Sequence, residues 1–275
     1  MKRGGLMLLA AATVVASAST GAAYAVAGTG KPTKAKPTVV LVHGAFADSS
    51  GWNDEISRLQ RRGYPVVAVP NPLRGLTSDA AYVRSVLQSI PGPVVLVGHS
   101  YGGAVITNAA TGMKNVKALV YVGAFIPAKN ENVATILDPA KYPGSLLGPA
   151  TTAHRKVANP AAPGGTDTET SIKPADFRRV FAADLPARKA ALLAATQRPM
   201  ADTAAIQPSG NPAWATIPSW DLITLDDKAI PPAGQQFMAQ RAHARVQTVH
   251  SSHAVMLAHP DAVVRIVMDA AHHTS

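Results

Sequence analysis

From Thr38 onward the chain alternates short, wholly apolar runs with segments of mixed polarity. Thr38–Val42 reads Thr-Val-Val-Leu-Val, a β-branched run of the kind found in strands buried on both faces. Val66–Val69, Pro93–Val97 and Val116–Val122 repeat that signature. Between them lie predicted helices. Trp52–Arg61 places Trp52, Ile56 and Leu59 at helical spacing, with Asp54 and Glu55 in its first turn and Arg61 and Gly63 at its end, charges that suit a helix dipole. Ser78–Ser89 offers Ala81, Val83, Val86 and Leu87 to a core, and Gly102–Ala110 follows the third run. Strand and helix alternate, which predicts an α/β fold with a mostly parallel sheet and helices on both faces.

The rhythm breaks at Gly123–Ala215, which is rich in Pro, Ala, Gly and Thr and has only weak helical stretches at Pro174–Ala182 and Pro186–Gln197. It resumes with strands at Ser219–Leu225 and Ala244–Val249 and helices at Pro232–Ala242 and Asp261–Ala270. An insertion of that size between parallel strands reads as a helical cap over a site, spanning about 124–215.

The N-terminus has a different pattern. Lys2 and Arg3 precede the apolar run Leu6–Ala16, and Ala23-Tyr24-Ala25 follows as a small-x-small site. This order predicts a signal peptide over residues 1–25, cleaved after Ala25 or Ala27, and a secreted protein with no stable membrane insertion afterwards. Residues 26–37 read as a flexible basic linker, leaving 38–275 for the folded domain.

Composition sharpens this picture. The 275 residues include no cysteine, which excludes a disulfide scaffold, a thiol nucleophile and thiolate metal sites. The formal charge of +10 raises the question of nucleic acid, but the basic residues are scattered and part of the excess lies in the leader, so no nucleic-acid partner is expected. No metal ligands sit at metal spacing, and neither a metal nor another cofactor is expected. Oligomeric state has no signature.

The chemistry concentrates in Gly98-His99-Ser100-Tyr101-Gly102, a G-x-S-x-G string between a strand and a helix. In that context it predicts a nucleophile elbow. Ser100 sits on a sharp turn at a helix N-terminus, and small residues flank it where side chains would collide. A serine nucleophile needs a base and an orienting acid. Of the histidines near the last strand, His253 lies on the loop, His250 at the strand end and His259 at a helix start, so His253 is the expected base. The preceding strand ends in Asp226-Asp227, and Asp227 is the expected acid, with Asp226 as the alternative. The oxyanion hole is expected at the amides of Tyr101 and Ala45, with Phe46 as a second choice, and His43 reads as a structural residue fixing that loop.

Together these residues resemble the α/β-hydrolase superfamily, in particular its small single-domain esterase group, which includes plant methylesterases and hydroxynitrile lyases. The matching strings are Val42-His43-Gly44-Ala45-Phe46, Ser49-Ser50-Gly51-Trp52, Val97-Gly98-His99-Ser100-Tyr101-Gly102-Gly103, Ile217-Pro218-Ser219-Trp220, Asp226–Pro232, Ser251-Ser252-His253-Ala254 and His259-Pro260-Asp261. The resemblance covers about 38–125 and 215–270 and implies Ser100, His253 and Asp227 as nucleophile, base and acid, with Ala45 and Tyr101 as oxyanion donors. Hydroxynitrile lyases of the group carry a Lys after the histidine and a Thr in the first loop. Here Ala254 and His43-Gly44-Ala45 stand there, which points away from lyase chemistry.

The expected activity is a secreted carboxylesterase-like serine hydrolase acting on a small-molecule ester through an acyl-enzyme. The same triad can cleave lactones, amides or C–C bonds or run perhydrolysis, and the rival from another class is a non-catalytic ligand-binding protein of this fold. Phe46 and Trp214 are expected at the substrate, with Tyr101 beside them. Phe125, Ile126, Ile136, Leu137, Leu146, Leu147, Phe177, Phe181, Leu192, Leu193 and Met200 are further apolar candidates for an acyl pocket.

Overall fold

A computed structural model describes residues 35–273, and the expected signal peptide and cleavage sites lie outside them. The core strands are β1 (Thr38–Val42), β2 (Val66–Val69), β3 (Val94–His99) and β4 (Val116–Val122), with helices α1 (Asn53–Arg61), α2 (Leu76–Ser89) and α3 (Tyr101–Ala109) between them. An insertion then carries α4 (Val133–Ile136), β5 (Thr152–Ala158), β6 (Thr166–Ile172), α5 (Pro174–Phe181), α6 (Ala187–Thr196), β7 (Met200–Ala201) and α7 (Asp202–Ile206). The core resumes with β8 (Ser219–Thr224), α8 (Pro232–Arg241), β9 (Arg245–Val249), α9 (Val255–Ala258) and α10 (Pro260–His272).

Six strands form one sheet in the order β2-β1-β3-β4-β8-β9, and every pairing in it is parallel. Successive residues of each strand feed opposite faces. Val40, Val42, Leu96 and Tyr121 pack with α2 and α3, whereas Val39, Leu41, Val97 and Val120 pack with α1 and α10. The continuous apolar runs are thus the mark of a sheet covered on both sides. The chain leaves β1 toward β2 on one side and returns to β3 on the other, so the strand order reverses between β1 and β3. In an open parallel sheet, that reversal opens a crevice beyond the strands' C-terminal ends.

The insertion departs from the expected all-helical cap. β5, β6 and β7 form a separate antiparallel sheet, with His154 paired to Thr170 and Thr170 to Met200. These strands are rich in Thr and alternate in direction without alternating in hydrophobicity, so apolar periodicity does not mark them. Ion pairs tie the cap to the core, Arg74 to Glu169 at 2.7 Å and Arg241 to Glu131 at 2.6 Å. The end of the basic linker is also engaged. The Lys36 ammonium donates to the Arg62 carbonyl and lies 4.9 Å over the Tyr64 ring.

Glu55 differs most from expectation. It is not a solvated charge at the start of α1 but is fully buried, and neither carboxyl oxygen has a hydrogen-bond partner among the described residues. Burial pushes its pKa from 4.5 up to about 8. The folded state therefore holds the proton at pH values where the unfolded chain has released it. Glu55 supports the fold fully below about pH 4.5, and that support is lost as pH rises toward 8. Glu55→Gln should lose less stability between pH 5 and pH 8 than the wild type, read from urea unfolding at the two pH values. Equal losses would overturn this assignment.

Candidate active site

The G-x-S-x-G turn is built by three close backbone approaches. A Cβ at Gly98 would lie 2.6 Å from the Gly102 carbonyl oxygen, and one at Gly102 would lie 2.4 Å from that of Val42. A Cβ at Gly44 would meet the Ser100 Cβ at 2.6 Å. Glycine is needed at these positions because β1, β3 and the start of α3 converge there. Ser100 caps α3 with a positive φ of 54° and ψ of −126°. A non-glycine residue held so is strained, and the surrounding bonds hold it. Its amide donates to Val122 O, and its carbonyl accepts from the Gly103 and Phe125 amides.

Asp227 and His253 meet as expected. His253 Nδ1 donates to Asp227 Oδ2 at 2.7 Å, and both side chains are buried. Asp227 collects four further donors. The Ala229 and Ile230 amides reach Oδ1 at 2.7 and 2.9 Å, and Thr224 Oγ1 and Gln235 Nε2 reach Oδ2 at 2.8 and 3.0 Å. Asp226 instead faces solvent beside His250, at 3.4 Å, and His259 lies 3.9 Å from Asp184. With Nδ1 committed to Asp227, His253 Nε2 is left without a partner among the described residues, as is Ser100 Oγ.

The loop bearing His253 is also held from the cap. Asp184 accepts from the Ser252 amide at 2.8 Å, from Ser251 Oγ at 2.9 Å and from Ser252 Oγ. Burial alone would raise the Asp184 carboxyl, but these serine bonds outweigh it and hold its pKa below the usual value. The Ala254 amide donates to Phe181 O at 2.9 Å, and the Phe181 ring stands edge-on to His253 at 4.9 Å. From below, His99 Nε2 donates to the His253 carbonyl at 3.0 Å, and burial keeps this imidazole neutral by holding its pKa well below the ordinary value. Sequence reading missed Asp184, Thr224 and Gln235. Only the Asx-like Asp227-Lys228-Ala229 turn carried a local trace of this network.

The first loop is fixed by His43. Its Nδ1 donates to Gly44 O at 2.8 Å, and its Nε2 accepts from the Asn71 amide at 3.0 Å, so the neutral tautomer is defined. Burial lowers its pKa to about 4. Phe46 N donates to Arg198 O at 2.9 Å, which removes the second-choice oxyanion donor. The Ala45 and Tyr101 amides have no acceptor among the described residues. The Tyr101 hydroxyl turns away to donate to Asp79 Oδ2 at 2.8 Å.

Ser100, His253, Ala45 and Tyr101 share one cavity of about 260 Å³ with Phe46, Phe125, Val133, Leu137, Leu147, Met200 and Ile230. Trp214 is not among its walls. Its indole donates to Pro127 O at 2.9 Å and its ring packs on the core, and a buried indole N–H takes such a partner where one is at hand. Leu192 faces solvent, and Phe177 packs on Phe181.

A model of the alpha/beta hydrolase family matches residues 39–266. The chain belongs to that family. The alpha/beta hydrolase nvfD of Aspergillus novofumigatus (strain IBT 16806) is 28% identical to it over 260 residues, 86% of this chain and 97% of that relative. The carbendazim hydrolyzing esterase of Nocardioides sp. (strain SG-4G) is 32% identical over 117 residues, 38% of this chain and 48% of the esterase. Polyneuridine aldehyde esterase has the same fold, with a TM-score of 0.73 at 20% identity over 85% of this chain and 98% of its own. In this alpha/beta hydrolase the glycine contacts make a sharp forecast. Gly102→Ala should cost about 1–3 kcal/mol in urea unfolding, whereas Gly148→Ala, with open space around it, should stay within about 0.5 kcal/mol of wild type.

Proposed function

We propose that this alpha/beta hydrolase is a serine esterase that cleaves carboxylic esters of small, largely apolar molecules through an acyl-enzyme. The observation that carries the reading is the buried Asp227–His253 pair, which opens onto the same cavity as the strained Ser100. Its relatives with esterase names lend the substrate class.

In this reading His253 Nε2 takes the Ser100 proton as Oγ attacks the ester carbonyl. The hydrogen bond between those two atoms forms with substrate in place, as is common for sites that tighten on binding. The Ala45 and Tyr101 amides then receive the negative oxygen of the tetrahedral intermediate. The imidazolium, held by Asp227, protonates the leaving alcohol. Water follows the same route, giving its proton to His253 and cleaving the acyl-serine. Phe46 and Phe125 offer the acyl or alcohol group an apolar wall.

Ser100→Ala should lower kcat/KM on p-nitrophenyl esters by at least about 1,000-fold while leaving the melting curve in place, and a fluorophosphonate should label the wild type at Ser100. A variant with wild-type turnover would sink the proposal. We also propose secretion, supported by Lys2, Arg3 and the apolar run Leu6–Ala16. N-terminal sequencing of exported protein should begin at Val26 or Gly28, and an intact Met1 there would refute it.

A further inference from the structure

The cap sheet brings polar groups into a cavity that is otherwise apolar apart from Ser100 and His253. Side chains alternate along a strand, so Thr152 and His154 of β5 share a face, and Thr170 of β6 joins them across the pairing. All three line the cavity, as does Asp202 at the start of α7. Their neighbours Ala153, Arg155, Glu169 and Ser171 surround a second, outer cleft, and the exposed His154 lies at the border of the two.

These groups are wired together. Thr170 Oγ1 donates to Asp202 Oδ1 at 3.1 Å and stands 3.0 Å from His154 Nδ1. His154 Nε2 stands 3.1 Å from Thr152 Oγ1. Asp202 Oδ2 has no partner among the described residues, and no Lys or Arg pairs with this carboxylate. Around them the wall is apolar, with Val133, Leu137, Leu147 and Met200 from the cap and Phe125 and Ile230 from the core side. A purely apolar ligand filling that space strips water from Asp202 and returns nothing. A ligand that brings a hydrogen to Oδ2 restores the lost bond, and sites built this way discriminate strongly between partners that have a donor and those that lack one.

We propose that the His154–Thr170–Asp202 strip is a recognition site for a hydrogen-bond donor, a hydroxyl or an amine N–H, carried by the part of the substrate that lies under the cap. This rests on the esterase reading of Ser100 and specifies its substrate class: esters with an apolar middle and a donor-bearing end.

The test compares p-nitrophenyl ω-hydroxyhexanoate and ω-aminohexanoate with p-nitrophenyl heptanoate, which replaces the donor by a methyl group. The measured quantity is the ratio of kcat/KM, donor ester over heptanoate, in the wild type, Asp202→Leu and His154→Leu. The ratio for at least one donor ester should fall by about tenfold or more in Asp202→Leu, with a smaller fall in His154→Leu. A fall for the amino ester alone identifies an ammonium group as the ligand, and a fall for both identifies a general donor site. Ratios that agree within twofold across all three proteins overturn the proposal. A second measurement needs neither turnover nor a folded Asp202 variant. Calorimetric titration of Ser100→Ala should show tighter binding of methyl ω-hydroxyhexanoate or methyl ω-aminohexanoate than of methyl heptanoate, and equal or weaker binding of both overturns the proposal. If a fluorophosphonate leaves Ser100 unlabelled and no ester turns over, the esterase reading alone has failed, and the titration still decides the recognition site.

Discussion

The close approach of three backbones at the top of the sheet governs everything built above it. β1 and β3 are neighbours, and the first turn of α3 presses against both, with no room for a Cβ at Gly98 or Gly102. At that crowded turn Ser100 takes a strained positive φ, and the Tyr101 amide, at the first position of α3, has no acceptor within the helix. The dense contact costs conformational freedom and strain locally. The strain is borne by a sheet whose strands are covered on both faces and held by parallel pairing.

Around that fixed point, polar order is built outward in shells. His43 and Asn71 secure the first loop, Thr224 and Gln235 secure Asp227, and His99 supports the backbone of His253. Asp227 and His43 have both side-chain polar atoms bonded, as a stable buried polar cluster needs, whereas Asn71 Oδ1 and His99 Nδ1 have no partner among the described residues. Glu55 and Asp221 are buried carboxyls without hydrogen-bond partners among the described residues, and their raised pKa values follow from burial.

The core was legible in the sequence because its signals are local. Val-rich runs announce strands, and the serine string between a strand and a helix announces the turn. The order Ser100, Asp227, His253 follows the order of the strands that carry them. Where the structure depends on long-range pairing, that legibility fails. β5 and β6 carry Thr, His, Arg, Lys and Glu with no hydrophobic alternation, so only their mutual hydrogen bonding makes them strands. Asp184 meets Ser251 and Ser252 across some 67 residues of chain, which no spacing rule anticipates. Trp214 has the composition of a substrate wall, but its indole N–H turns it toward Pro127.

Asp184 also changes what the cap is. The loop bearing His253 is fastened at one side by Asp227 of the core and at the other by Asp184 of the insertion. The cap is thus a bearing wall of the site as well as its roof. Anyone transplanting caps between members of this family to retune substrate choice would transplant, or delete, half of the mounting of the imidazole. A graft that ends before Asp184 keeps the native mounting, and one that replaces it needs an equivalent carboxylate in the same place.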